Sequence, residues 1–191
     1  MRFIGGVIEK LQRHPKRVVF PEGEEPRILQ AARQYQALRL GAPIVLGNHE
    51  KVKATAAGLK IPLEGIRVLE PATSEELENF TRRFHALYRD KGIQATEARE
   101  ALLQPNYFGA MMVAMHQADG LVSGAAHTTA SVLRPLLQII NAAPGIATVS
   151  SCMVMEVEDT RLGENGELDR LFAEISDKFF PNQPNPFRGK K

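Results

Sequence analysis

Ala118-Asp119-Gly120-Leu121-Val122-Ser123-Gly124-Ala125-Ala126-His127-Thr128-Thr129-Ala130-Ser131-Val132-Leu133-Arg134-Pro135 is the stretch that decides how the rest of the chain is read. Its short apolar run, Leu121-Val122, predicts a strand. Ser123-Gly124 predicts a tight turn, and a helix capped by Thr128 or Thr129 follows. Such a junction gathers unpaired backbone N–H groups, hydroxyls and the positive end of a helix dipole at one point. An anion such as phosphate fits there for electrostatic reasons.

Within the predicted helix, Val132, Leu133, Leu136, Leu137 and Ile140 form the apolar face, with Ser131, Arg134, Gln138 and Asn141 opposite. Arg134 starts roughly 9 Å along the axis from Thr128, at about 1.5 Å per residue. Its Cα–Cβ bond leans toward the helix N-terminus, so the guanidinium can reach back toward the turn. Pro135 has no N–H; it frees the Ser131 carbonyl and should bend the helix. A fork-shaped permanent cation beside N–H and O–H donors suits phosphate. An ordinary α/β connection with a solvated arginine accounts for the same residues, and spacing alone leaves both readings open.

Working outward, Phe3 to Gln12 is a modest amphipathic helix ended by His14-Pro15. Arg17 to Phe20 is a strand, and Pro21-Glu22-Gly23-Glu24-Glu25 leads into a helix with Pro26 near its first position. The acidic residues are expected to favour that helix's dipole; the alternative is that Glu22 and Gly23 line a cleft at the carboxyl end of the first strand. The helix runs through Ile28, Leu29, Ala32, Tyr35 and Leu38 to Gly41. A strand at Pro43–Gly47, a helix at His49–Ala57 and a strand at Ile66–Leu69 follow. This alternation with short connections predicts a parallel sheet covered by helices.

Ser74 is read as the cap of the next helix, with Glu75, Glu76 and Glu78 in its first turn and Leu77, Phe80, Phe84, Leu87 and Tyr88 on its buried side. It stops at Arg89-Asp90-Lys91-Gly92. Thr96–Leu103 is a short helix and Tyr107–Gln117 a buried one, whose Met111, Met112 and Met115 are core packing. Past Pro144-Gly145, Ile146 to Val157 reads as a strand containing Cys152, taken as a small buried hydrophobe rather than a reactive thiol. Asp159 to Gly166 is a polar turn.

A chain of 191 residues holds one substantial core, or one domain and the beginning of another. A net charge of +2, no tryptophan and few aromatics disfavour nucleic acid. The longest apolar run, Phe108 to Met115, is far short of the roughly 20 residues that span a bilayer. No signal-peptide pattern opens the chain, and one cysteine excludes an intrachain disulfide. These features point to a cytoplasmic protein without nucleic-acid or membrane partners. His14, His49 and His116 have no metal-ligand spacing, so no metal is expected.

Tyr107-Phe108-Gly109-Ala110-Met111-Met112, Ala118 to Ala125, His127-Thr128, Thr129-Ala130 and Arg134-Pro135 resemble the phosphate acetyltransferase / phosphate butyryltransferase family. The match starts near Val18, with Val19-Phe20-Pro21-Glu22-Gly23-Glu24, and runs to about Gly166. The resemblance implies a three-layer α/β/α fold with a mostly parallel sheet, isocitrate/isopropylmalate-dehydrogenase-like and truncated. Residues 1–143 would be a first domain lacking its returning segment, 144–166 the start of a second, and 167–191 a divergent tail.

The resemblance also implies acyl transfer between acetyl-CoA and phosphate, giving acetyl phosphate. Coenzyme A or acetyl-CoA would be a substrate, with no permanently bound cofactor and no metal. Ser123, Gly124, His127, Thr128, Thr129 and Arg134 would supply the phosphate and acyl end. An arginine that helps hold substrate in the family falls at Tyr88 here, leaving Arg89 as a weak substitute. No catalytic residue is assigned, because the acid–base aspartate, a partner serine and another arginine belong to a portion of the family this chain has no positions for. Little turnover is therefore expected from the chain alone, with a homo-oligomer or a complementary half as partner. The alternative is a non-catalytic acetyl-CoA- or phosphate-binding module, a use to which related domains appended to malic enzymes put the fold.

Overall fold

A strand that is apolar at every position must be covered on both faces, and β1 (Lys16–Phe20) and β2 (Gly41–Leu46) are apolar through Val18-Val19-Phe20 and Pro43-Ile44-Val45-Leu46. In the computed structural model, which describes residues 2–140, they lie side by side in a four-stranded sheet. The order is β3-β2-β1-β4, with β3 at Arg67–Leu69 and β4 at Gly120–Leu121. Every pairing is parallel. The predicted Pro144-Gly145 turn, the Ile146–Val157 strand with Cys152, and the tail lie outside the described residues. The chain divides into two compact units, 8–143 and 1–7 with 144–191.

Helix α1 (Arg2–Arg13) precedes β1; α2 (Pro26–Ala37) and α3 (His49–Gly58) follow β1 and β2. After β3 come α4 (Leu77–Tyr88), α5 (Ala95–Leu102) and α6 (Pro105–Ala114), then β4 and α7 (Thr129–Ile139). Alternation along the strands sorts them into layers. Val19, Ile44 and Leu46 point to one side, into a cluster with Leu77, Phe80, Phe84, Leu102, Phe108, Met111 and Ile139 of α4 to α7. Phe20 and Val45 point to the other, against Ile28, Leu29 and Ala32 of α2 and Val52 and Ala56 of α3. The α/β expectation is met, with helices on both faces of a parallel sheet.

Two local expectations are corrected. Ser74 does not cap α4: a single 3-10 turn at Pro71–Thr73 precedes it, and the Ser74 hydroxyl accepts from the Glu76 N–H at 3.3 Å. Helix α4 therefore starts at Leu77, with only Glu78 acidic in its first turn. The buried stripe of α7 is also rotated from the one expected. Pro135 and Ile139 are buried, and Val132 and Leu136 half-buried, whereas Leu133, Leu137 and Ile140 are exposed. The proline ring serves as an apolar knob at the i+3 position from Val132, turning the helix away from the leucine pair. Gln138, expected on the polar face, is half-buried: its side-chain carbonyl accepts from the Tyr107 hydroxyl at 2.7 Å and its backbone carbonyl from the Tyr88 hydroxyl at 2.8 Å.

Candidate functional site

From β1 the chain crosses to β2 on one side, and β4 arrives on the other. The carboxyl ends of β1 and β4 therefore flank the point where strand order reverses, the place where open α/β sheets hold ligands. Pro21, Glu22 and Gly23 leave β1 there, all buried; Val122, Ser123 and Gly124 leave β4. Gly23 lies against β2, its N–H donating to Leu46 O at 2.9 Å. A Cβ on it would run into Val45 Cγ1 and come within 2.7 Å of Leu46 O. That close approach leaves Glu22 facing the loop after β4.

The Glu22 carboxylate fills that loop. Its Oε2 accepts from the backbone N–H of Gly124 at 2.9 Å and of Ala125 at 2.8 Å. Its Oε1 accepts from the N–H of Ala126 at 2.8 Å and of His127 at 2.9 Å, and meets His127 Nδ1 at 2.8 Å. The Glu22 side chain is 2% exposed. Burial alone would raise its pKa, but the Ala126 and Ala125 N–H groups, the His127 ring and the Gly124 N–H outweigh burial and hold the carboxyl at about 2. Gly124 adopts φ +118° so that its amide can join the set, a conformation suited to glycine.

The expectation of unpaired N–H groups at this turn is corrected by that geometry. The four consecutive amides from Gly124 to His127 do gather around an anion, as a succession of inward-facing N–H groups does. The anion is the chain's own Glu22. The dipole role expected for Glu22 gives way to this one. Glu24 instead pairs with the start of α3, accepting from Asn48 N–H at 3.2 Å and meeting Lys51 Nζ at 3.3 Å.

Thr128 is the cap of α7: its Oγ1 accepts from Ser131 N–H at 3.3 Å. Thr129 is the first helical residue and is exposed. The N–H groups of Thr129 and Ala130 have no acceptor within the helix. Ser123 is tied to the start of α6, its hydroxyl donating to the buried Asn106 Oδ1 at 2.9 Å. Arg134 is exposed and makes no hydrogen bond or ion pair among the described residues. It lies near Tyr107, whose hydroxyl burial pushes up in pKa while the arginine's charge pulls it down. Ser123, His127, Thr128, Thr129 and Arg134 thus stand on one loop and the helix it opens.

Arg89 is not drawn into this group. It sits in a 3-10 turn after α4 and pairs with its neighbour Asp90 at 3.6 Å, both largely exposed. Tyr88, by contrast, reaches α7 through Gln138.

Two residues that build the site, Asn106 and Arg27, have no role in the sequence reading, and Glu22 has one only as the alternative of lining a cleft at the end of the first strand. Arg27 clips the loop from the side of α2, donating to Ala125 O at 2.8 Å and to Glu25 Oε1 at 2.6 Å. Pro-Glu-Gly immediately after the first strand was the available signal for Glu22. Asn106 and Arg27 carried none. Among the described residues no group of three or more His, Cys, Asp or Glu side chains is placed to hold a metal ion, and no helix is long and apolar enough to cross a membrane.

A family model described as phosphate acetyl/butaryl transferase matches residues 2–174. The chain is 40% identical over 182 residues to a phosphate acetyltransferase of Thermoanaerobacterium thermosaccharolyticum, covering 95% of this chain and 54% of that protein. It is 39% identical over 178 residues to the phosphate acetyltransferase of Bacillus subtilis, covering 92% and 52%. Among solved structures, the EutD phosphotransacetylase from Staphylococcus aureus aligns with a TM-score of 0.70 at 32% identity, over 91% of this chain and 56% of that one. A phosphotransacetylase from Streptococcus pyogenes gives 0.72 at 35% identity, over 76% and 44%. The chain spans about half the length of the curated relatives it matches.

Proposed function

The chain belongs to the phosphate acetyl/butaryl transferase family, and from that premise we propose that it serves acyl transfer between acetyl-CoA and inorganic phosphate, giving acetyl phosphate and free coenzyme A. In this reading a phosphate oxygen attacks the thioester carbonyl, a tetrahedral oxyanion forms, and the coenzyme leaves as its thiolate. Such a reaction needs phosphate held in line and donors for the oxyanion. The coenzyme enters as acetyl-CoA, a substrate, and the chemistry calls for no permanent cofactor.

The observation that carries this reading is the loop after β4, pinned from beneath by Glu22 and opening into a capped helix with a solvent-facing arginine six residues past the cap. With the amides of residues 124–127 engaged by Glu22, the groups left for substrate are side chains and the helix start. The Ser123, Thr128 and Thr129 hydroxyls, the N–H groups of Thr129 and Ala130, the outer edge of His127 and the Arg134 guanidinium make up that set, with Gly124 shaping the turn. Arg134, without a carboxylate partner among the described residues, is available to neutralise a phosphate as a bidentate fork.

The resemblance gives proton transfer to residues outside those matched here, and turnover by these 191 residues assayed by themselves is proposed to be slow. The exposed Leu133, Leu137 and Ile140 of α7 support self-association, and a single cysteine suits the cytoplasm.

The test mixes purified chain with acetyl-CoA and phosphate and follows thiol release. Residual turnover should fall about 100-fold in Arg134→Ala, the loss typical of removing one oxyanion-stabilising donor. Saturable acetyl-CoA or phosphate binding with no turnover in either protein would favour a non-catalytic binding module instead. Turnover indifferent to Arg134→Ala would refute the role given to that residue.

A further inference from the structure

The pairing of Glu22 with His127 asks for more explanation than the loop's backbone needs. Four amides would already satisfy a carboxylate, yet Oε1 takes a fifth donor, His127 Nδ1, at 2.8 Å. An ionised carboxylate can only accept hydrogen bonds, and against burial the Ala126, Ala125 and Gly124 N–H groups together with the His127 ring keep Glu22 ionised. The proton of a neutral His127 ring must therefore sit on Nδ1. A neutral imidazole has one N–H, so Nε2 is left with a lone pair. The two side chains differ in access: Glu22 is 2% exposed and His127 40% exposed. Nε2, at the far side of the ring from Glu22, has no partner among the described residues.

We infer that Glu22 is a positioning residue that fixes His127 as a hydrogen-bond acceptor at Nε2, so that the ring receives a bond from a proton-bearing group of the substrates. The inference rests on the acyl-transfer reading and adds a direction to it. A neutral His127 does not donate to a phosphate oxyanion; it accepts from an X–H group. Two of the reactants carry one: hydrogen phosphate, through its P–OH, and the free coenzyme A released, through its thiol. Sulfate, of the same shape and charge as hydrogen phosphate, carries none at neutral pH and would bring an oxygen lone pair against the Nε2 lone pair. The site should therefore prefer hydrogen phosphate to sulfate by about tenfold, the ratio that one such hydrogen bond supplies.

The test uses the full chain labelled with nitrogen-15, at pH 8, with long-range proton–nitrogen spectra of the imidazole rings and His127 assigned through His127→Asn. The expected pattern is an Nδ1–H ring, the minority tautomer of free histidine. In Glu22→Ala, Nδ1 loses its acceptor altogether and the ring should revert toward Nε2–H. Should that variant not fold, the wild-type spectra carry the test unaided. Hydrogen phosphate, coenzyme A and sulfate are then added separately at constant ionic strength. Movement of the Nε2 resonance by phosphate or by coenzyme A identifies the donor, and sulfate should leave it in place.

An Nε2–H ring in the wild type overturns the inference, as does equal movement by sulfate and phosphate. In both cases the acyl-transfer reading survives if thiol release is seen. Absence of any response at residues 123–134 to phosphate and coenzyme A overturns both.

Discussion

Replacing Glu22 by glutamine removes a charge and one acceptor while keeping shape, and the geometry says what should follow. The amide oxygen can occupy one carboxylate position. Oε1 serves three donors and Oε2 two, so the side chain should settle with its oxygen toward Ala126 and His127. Its NH2 then faces the N–H groups of Gly124 and Ala125, donor against donor. Each buried donor left without an acceptor costs about 1–3 kcal/mol. Gly124 is exposed enough to recover water, which leaves Ala125 to carry the expected loss of about 1–3 kcal/mol. The chain has no tryptophan, so urea unfolding is best followed by far-UV circular dichroism. Amide hydrogen exchange adds the local readout: Gly124 and Ala125 should exchange faster in the variant by a larger factor than Ala126 and His127. A stability change within about 0.5 kcal/mol, as for a neutral surface substitution, or uniform acceleration across the four amides, would refute the assignment of Glu22 as the loop's anion.

Acid should act at both ends of the β1–β4 pair. Glu22 and Asp119 are each held at about 2, the first by the loop donors against burial, the second chiefly by the Arg17 side chain and its N–H. Because these folded-state values lie below the ordinary carboxylate range, the unfolded chain takes up protons first as pH falls. The stabilisation is complete above about pH 4.5 and is lost as pH drops through about 2. Urea midpoints measured from pH 6 to 2.5 should fall over that window, and Glu22→Gln should give a flatter profile; parallel profiles would contradict it. Gly23→Ala should destabilise the chain by about 1–3 kcal/mol through overpacking against Val45 and Leu46. A melting temperature unchanged by that substitution would show that the strand ends have more room than the geometry gives them.

The layered sheet was legible because period-two burial and loop chemistry agree: Val19 and Phe20 must face opposite ways, and Pro26 and Thr128 mark where helices begin. The face of α7 was not, since a scale that scores leucine above proline selects Leu133 and Leu137 over Pro135. Only packing against α6 decides for the ring. At the candidate site the chain position of the donors was readable, but their acceptor lies 102–105 residues earlier. No local pattern links Glu22 to His127; the pairing exists only because β1 and β4 are neighbours. The same reason hides the use of Tyr88, which stands where the resemblance expects an arginine and instead donates to the α7 backbone at Gln138.

That separation has a consequence for how the molecule assembles. Strands β1, β2 and β3 join through nearby sequence and could pair early, whereas β4 closes a loop of about a hundred residues and arrives late. Until it does, the carboxylate at the end of β1 has to stay hydrated, since no other donors are on hand to compensate its dehydration. Strand β4 therefore brings with it the groups that allow the charge to leave water. The loop after β4 and the four described strands should then mature in one kinetic step, neither preceding the other.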